Sequence, residues 1–424
     1  MNGPTPSAPD LGTPVPTTNG VPPGGVQRSG RAKVFLLVVG LFAGLVAVGT
    51  IYYFSAGGAD PEQAYEPGWK YPARTDPVVL SLPTAHPTER HQDIERLDEY
   101  LAQLPTLGGK IADPERLSDA QKRRLTAVID ALFGTPAAPA VAGIDAATAD
   151  KFALTPDDLK AGGKRYRTAC SNCHGLTGDG RGTAGLWSFP HPRDFRSGKF
   201  KLATGAGANV GRPRFADLTR VIQKGVPGTL MGANALTDAE LKQLAGYTLF
   251  LSVRGEVEAE VVKALADPEE GTTDVEREAK AHLAKVLKKW ADADAEVPLK
   301  HAVLPRPDEV TGEYAESVRR GHKLFVSEAV GCAKCHTAFG GTPTYRYDVW
   351  GVPNRVRNLT DRERYWAREP ADMARQLTVG IPAANMPGLP DDTSQKDIAD
   401  LVHFVRELPY PERLPEDVRK AVEK

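Results

Sequence analysis

The spacing of apolar residues divides the chain into stretches of different character. Residues 1–33 are rich in Pro, Gly, Ser and Thr and almost free of large apolar side chains. Such a stretch cannot bury enough surface to offset chain entropy, so it reads as a disordered tail. Val34 to Phe54 then runs 21 residues without a charge, enough at about 1.5 Å per residue to span a bilayer core as a helix. Arg28, Arg31 and Lys33 precede it, Asp60, Glu62 and Glu66 follow it, and Tyr52 and Tyr53 stand at one edge. This asymmetry predicts a transmembrane anchor over 34–54 with a cytoplasmic N-terminus and an exported remainder. A cleaved secretory signal is the alternative. The long leader, the long apolar run and the lack of a small-residue cleavage site weigh against it, and either reading exports the rest. Residues 55–90 are Pro-rich and read as a stalk.

Helical periodicity takes over next. Ile94, Leu97, Tyr100, Leu101 and Leu104 share one face. Ser118 and Gln121 form a capping box ahead of the apolar face Leu125, Val128, Ile129, Leu132 and Phe133, with Gly134 as the stop. Residues 91–150 thus read as a helical spacer. Two stretches beyond it resemble each other. In the first, Thr155-Pro156 opens a helix, Gly162 is followed four residues on by Tyr166, and the string Cys170 to His174 follows. In the second, Gly321 is followed four residues on by Phe325, and then by Cys332 to His336. Later come Gly225-Val226-Pro227 and Gly380-Ile381-Pro382, with Met231 and Met386 each four residues after the Pro. Each stretch closes on an amphipathic helix. The first carries Leu241, Leu244, Ala245 and Thr248 behind a Thr237–Glu240 capping box and a Leu236–Leu241 staple; the second carries Ile398, Leu401, Val402, Val405 and Leu408. Residues 255–297 are charged and helical in pattern, and no alternating strand stands out.

Composition adds two facts. The net charge is −1, from 53 basic and 54 acidic residues, which argues against a nucleic-acid partner. The chain has four Cys, all in the two CxxCH strings, so no thiol is left for a disulfide, an iron–sulfur cluster or a lone nucleophile. On one helical turn, two thiols reach the two vinyl groups of a porphyrin, and the adjacent His is directed at its iron. Cys170, Cys173, Cys332 and Cys335 are therefore expected to carry two covalent c-type haems, with His174 and His336 as proximal iron ligands. A shared zinc site would need Cys pairs that lie about 160 residues apart to converge, although each has its own His. A thioredoxin-like pair would need a βαβ context that is absent. Covalent haem attachment takes place outside the cytosol, in keeping with export.

The sixth ligands follow from the matched turns. Met231 lies 57 residues after His174, and Met386 lies 50 after His336, and both are expected to present a thioether to the far face of the ring. His191 is the alternative to Met231, and His322 or His403 the alternative to Met386. Met373 falls inside a helix and reads as core. His/Met ligation favours ferrous iron and raises the potential relative to bis-His.

On these motifs each stretch resembles a class I cytochrome c, over about 151–254 and 306–413. The resemblance implies that Tyr247 and Phe404, on the closing helices, pack across the opening helices. It also implies that a Pro carbonyl orients each proximal His, with Pro190, Pro192 and Pro353 as candidates. Gly232 stands after Met231 where the family often has Pro, as Pro387 does after Met386. The expected fold is mostly α: an N-terminal transmembrane helix, a helical spacer, and cytochrome c domains at 151–254 and 306–424, separated by a helical insertion over 255–305. Arg193, Arg196, Lys199 and Lys201 follow the first motif, and Arg346, Arg355, Arg357, Arg362, Arg364 and Arg368 the second. These read as solvated or paired surface, with one or two per domain available for haem propionates and others for steering an acidic partner. The function implied is a membrane-tethered di-haem cytochrome c on the periplasmic side of the cytoplasmic membrane. It would carry single electrons in a respiratory chain, between a quinol-oxidising complex or dehydrogenase and a terminal oxidase or soluble carrier. Redox proteins are the expected partners, and no small-molecule substrate is expected. A di-haem peroxidase is the alternative; it needs one iron with a displaceable sixth ligand.

Overall fold

The structure, a computed structural model, describes residues 68–83, 103–188, 190–205, 211–226, 229–266, 274–294, 303–362 and 369–423. All fall in one compact unit, residues 61–424. The expected tail, the Val34–Phe54 stretch and the helical face from Ile94 to Leu101 lie outside the described residues. The expected fold class is corrected in its first element: among the described residues no helix is long and apolar enough to cross a membrane. The fold is mostly helical, with cytochrome c-like domains.

Twelve helices occur among the described residues: α1 Asp119–Phe133, α2 Ala146–Lys151, α3 Pro156–Ala169, α4 Ser171–His174, α5 Phe215–Lys224, α6 Asp238–Ala266, α7 Val275–Ala293, α8 Gly312–Val326, α9 Cys332–Cys335, α10 Pro370–Val379, α11 Gln395–Glu407 and α12 Glu416–Val422. Three antiparallel two-stranded ladders accompany them: β1 Val78–Ser81 with β2 Lys110–Ala112, β3 Gly134–Thr135 with β4 Ala138–Pro139, and β5 Tyr345–Tyr347 with β6 Pro353–Arg355. They are too short to show alternation, which is why the sequence pattern gave no sign of them.

The two similar stretches are built on one plan. In the first, α3 packs on α6; in the second, α8 packs on α11. The contact is close because each opening helix presents a glycine there. A Cβ on Gly162 would collide with the backbone carbonyl of Gln243, and one on Gly321 with that of Asp400. One turn on, Tyr166 meets Tyr247 at 5.4 Å and Phe325 meets Phe404 at 5.5 Å between ring centroids. All four rings are buried. Burying such side chains is worth about 1.5–3 kcal/mol each, with about 0.5–1.5 more per aromatic pair.

Around this shared plan the two halves differ. Helix α6 does not end where the first domain was expected to end. It runs unbroken across 254 and 255 for 29 residues, its second half packing on α7 and α1. The first cytochrome-like core is consequently continuous with the spacer and the insertion, and includes Phe133, Phe250, Val286 and Trp290. The expected stalk is corrected over its described part. Tyr71 and Val78 are buried in that core, Tyr71 Oη lies 3.1 Å from Tyr247 Oη, and Asp76 pairs with the buried Arg196 at 2.7 Å. Three apolar or paired side chains in this short run outweigh the extending effect of its prolines.

The second core is smaller and self-contained, built from α8, α10, α11 and α12. Two carboxylates on α11 tie it together. Glu407, fully buried, accepts from Arg306 twice at 2.9 Å, from Arg413 at 2.9 Å and from Tyr314 at 3.1 Å. Asp400 accepts from Arg320, Lys396 and Ser317. The surrounding cations hold both carboxyls below their ordinary values despite burial.

Candidate cofactor sites

In each half the opening helix delivers a single extra turn that carries the CxxCH string. Cys170 caps α3, and the amides of Cys173 and His174 return to its carbonyl at 3.1 and 2.9 Å. In the second half Gly331, at φ +73°, turns the chain into α9, and His336 N returns to the Cys332 carbonyl at 2.9 Å. Both thiols and the His of each string are thus gathered on one turn. All four cysteines are partly buried and unpaired. Burial pushes the thiols of Cys170 and Cys332 up to about 11, with a small further push from Cys173 and Cys335 respectively. These are protonated thiols, unlike the low-pKa thiolates of redox or zinc sites. Among the described residues no three His, Cys, Asp or Glu side chains converge to hold a bare metal ion.

The histidines are poised differently. Burial pushes His174 down to about 4 and lowers His336 as well, so both rings are neutral at physiological pH. His336 Nδ1 lies 3.1 Å from the Arg357 carbonyl. A carbonyl only accepts, so Nδ1 carries the proton and Nε2 keeps its lone pair, the tautomer a metal-binding imidazole needs. In the first half the Arg193 backbone acts on His174 in the same sense, opposing the effect of burial, while Nδ1 is buried without a hydrogen bond. In the second half the carbonyl expected from Pro353 is therefore replaced by that of Arg357; in the first, no carbonyl among the described residues, of a proline or of Arg193, is hydrogen-bonded to His174 Nδ1. Pro353 is engaged in the β5–β6 ladder opposite Tyr347, and the Pro192 carbonyl abuts Gly180.

The methionines come from separate turns that are built alike. Helix α5 ends at Gly225 (φ +67°) and α10 at Gly380 (φ +75°). A Cβ on either glycine would stand 2.5 Å from the carbonyl of its methionine, Met231 or Met386. The residue after each glycine binds that same carbonyl, Val226 N to Met231 O at 2.9 Å and Ile381 N to Met386 O at 2.8 Å. Both methionines are partly buried, and their helices pack on α6 and α11, which pack in turn on α3 and α8, the helices that deliver the CxxCH turns. Pro227 lies outside the described residues. Met373 is core, as expected. His403 has both ring nitrogens in use, Nε2 accepting from Leu304 N at 3.0 Å and Nδ1 2.7 Å from Ser317 Oγ. His322 packs edge-on to Phe404 at 5.3 Å, and His191 is buried.

Several of the basic residues flagged in the sequence are paired within the chain. Arg196 bridges Asp76 and Asp194 at 2.7 Å each, Arg193 pairs with Asp348 at 2.7 Å, and Arg362 pairs with Glu412 at 2.8 Å. Arg346 reaches Cys335 Sγ at 3.4 Å. Burial, with Arg193 and Arg357 nearby, pushes Lys201 down to about 8. Arg364 and Arg368 lie outside the described residues. Sequence reasoning marked Trp350 only as an aromatic among the basic residues and did not reach Asp348 or the contacts of either. Their partners Arg193 and Asp194 are more than 150 residues away, and no local spacing signals such a contact.

Residues 157–247 and 316–405 match the family described as cytochrome c oxidase, cbb3-type, subunit III. The two intervals contain the two CxxCH strings and the two methionine turns. Both are supported as cytochrome c domains, which implies covalently bound haem iron and a haem-based electron-transfer role. Among solved structures, the chain is similar to a component of the Kuenenia stuttgartiensis reducing HAO-like protein complex. The identity is 20%, the TM-score 0.41, and the match covers 60% of this chain and 96% of that one. None of the curated proteins matches the chain.

Proposed function

We propose that the chain is a di-haem cytochrome c that relays single electrons between redox proteins of a respiratory chain. Its domains would be 151–254, with the closing helix running on to Ala266, and 306–424, on the exported side of the membrane. The donor would be a quinol-oxidising complex or dehydrogenase, and the acceptor a terminal oxidase or soluble carrier. One haem would be held through Cys170, Cys173, His174 and Met231, the other through Cys332, Cys335, His336 and Met386. The observation that carries this reading is the duplicated construction: each half pairs a one-turn CxxCH element with a glycine turn that returns a methionine.

When bound, the haem supplies a one-electron iron couple. The protein's own groups fit that role. The thiols are free of disulfides and adjacent on one turn, as thioether formation requires. The imidazoles are neutral, and the Arg357 carbonyl fixes the tautomer that leaves Nε2 of His336 for iron. Met231 and Met386 would supply a soft second ligand, one in each domain, and the iron would then have no open position for a substrate. Large buried rings, Tyr166 with Tyr247 and Phe325 with Phe404, pack beside the sites and would limit reorganisation when charge changes.

The test is spectroscopic. Near-infrared magnetic circular dichroism of the oxidised protein is expected to give the His/Met signature for both haems. Loss of that signature at one haem is expected in Met231→His, and at the other in Met386→His. Rapid carbon monoxide binding at one haem of the unaltered reduced protein, with peroxide turnover, would favour the peroxidase reading instead.

A further inference from the structure

The hairpin formed by β5 and β6 meets the first domain at its residue 190–196 segment. Asp348, fully buried in the turn of the hairpin, takes the Arg193 guanidinium at 2.7 Å. It also accepts from the amides of Trp350 and Val352 at 3.0 Å and from Asn354 Nδ2 at 3.0 Å. The Trp350 indole donates to the Asp194 carbonyl, and Arg193 lies over its ring, 5.1 Å from the centroid. Both partners of this junction belong to segments that serve the proximal histidines. Phe195, in the same segment as Arg193 and Asp194, packs its ring against that of His174 with 5.5 Å between centroids, and the chain leaving β6 supplies the Arg357 carbonyl to His336. The hairpin also braces the second methionine turn, since Val349 N donates to Ala383 O at 3.1 Å.

We propose that the Arg193–Asp348–Trp350 junction is a positioning bridge that holds the proximal sides of the two haem sites together, so that electrons pass directly from one domain to the other within the chain. This rests on the two-haem reading above. The step moves one electron from a ferrous iron in one domain to a ferric iron in the other; no bond is made or broken and no proton moves. The three residues act through His174, His336 and the backbone beside them, and touch no reacting atom. A buried carboxylate with four donors holds one geometry, and the stacked guanidinium and the indole bond fix its rotation. Two domains joined only by a linker would instead sample many orientations.

The experiment compares the full chain with Asp348→Asn and Trp350→Phe. Haem content per chain is measured first, because fewer than two haems in the unaltered protein defeats the two-haem reading independently of the bridge. After rapid reduction of one haem, electron redistribution in the unaltered protein is expected to be first order and independent of protein concentration. A concentration-dependent rate would overturn the bridge without need of any variant. In both variants two haems and the His/Met signatures are expected to persist, while redistribution slows roughly tenfold or more, the scale on which a small misplacement of reacting centres is felt. The potential of the first-domain haem is also expected to shift, although both substitutions lie in the second domain. Arg193→Lys, which keeps the charge but loses the planar stack on Trp350, is expected to fall between. Unchanged redistribution and potentials in both variants, with two haems in place, would overturn the proposal.

Discussion

The two cytochrome-like domains use the same fittings on different foundations. Both place a glycine where opening and closing helices touch, both stack an aromatic pair one turn further on, and both end an intermediate helix on a glycine that returns a methionine. Beneath the first, α6 continues past the domain for three more turns into a core shared with α1, α7 and Tyr71. Beneath the second, α11 stops at Glu407, where a buried carboxylate network replaces the missing apolar contact. The two sites share a few contacts inside the domain, and what supports those contacts from outside differs between the domains. The apolar contacts of the first foundation are indifferent to pH, and its buried Arg196–Asp76 pair adds an ionic tie. An ionic foundation concentrates its contribution in a few groups.

The largest separation between the domains should come from Glu407→Ala. It leaves two arginines and a tyrosine without their shared acceptor, and breaking a buried pair of this kind costs about 3–5 kcal/mol. Thermal unfolding followed at haem-specific wavelengths should show one transition falling sharply and the other holding. Gly321→Ala is expected to cost about 1–3 kcal/mol through overpacking against Asp400, again confined to the second domain. Gly162→Ala creates the same collision with Gln243. There α6 remains anchored in the shared core, so far-ultraviolet dichroism should stay near that of the unaltered protein while the first haem's spectrum broadens.

Acid provides the next contrast. Asp400 and Glu407 titrate in the folded state below their ordinary 3.8 and 4.5. Their contribution is therefore complete above those values and is lost as pH falls through the depressed folded ones. Asp76, which ties the upstream strand to the first domain through Arg196, is pulled well below the carboxylate range by Arg196 and the neighbouring Arg74, and its contribution persists to lower pH. An acid titration should release the second domain before the first; simultaneous release would contradict the difference in foundations. The smallest effect concerns the turn after the second CxxCH. There Ala338 and Phe339 adopt φ +46° and +56°, where the first domain has Gly175, Gly178 and Gly180 at positive φ. Ala338→Gly should raise the second transition by up to about 1 kcal/mol, since a left-handed non-glycine costs about 1–2 kcal/mol and the added chain entropy takes part of that back.

What the sequence made legible was local. The Ser118–Gln121 box forms as read, with Ser118 N to Gln121 Oε1 at 2.8 Å, and the face from Leu125 to Phe133 is buried throughout. The CxxCH turns, the glycine contacts and the methionine turns all have fixed short spacings, and so could be found by pattern alone. Features set by distant partners were not legible. Helix α6 is apolar on nearly every side, so its periodicity gave no reason to extend it past 254. Arg193 and Arg196 looked like surface cations because Asp348 and Asp76, which take them up, are remote in sequence. The proximal carbonyls were sought at prolines, yet the one that reaches His336 comes from Arg357, just past the hairpin, and none among the described residues is bonded to His174 Nδ1.

The claim on which the rest stands is that two haems are thioether-linked to this polypeptide, one in each domain. Intact-protein mass spectrometry under denaturing conditions tests it directly, with peptide mapping to locate the adducts. The account predicts a mass above that of the polypeptide by two haem groups, on the peptides containing Cys170–Cys173 and Cys332–Cys335. The bare polypeptide mass, or a single adduct on the chain matured in its own host, would contradict it.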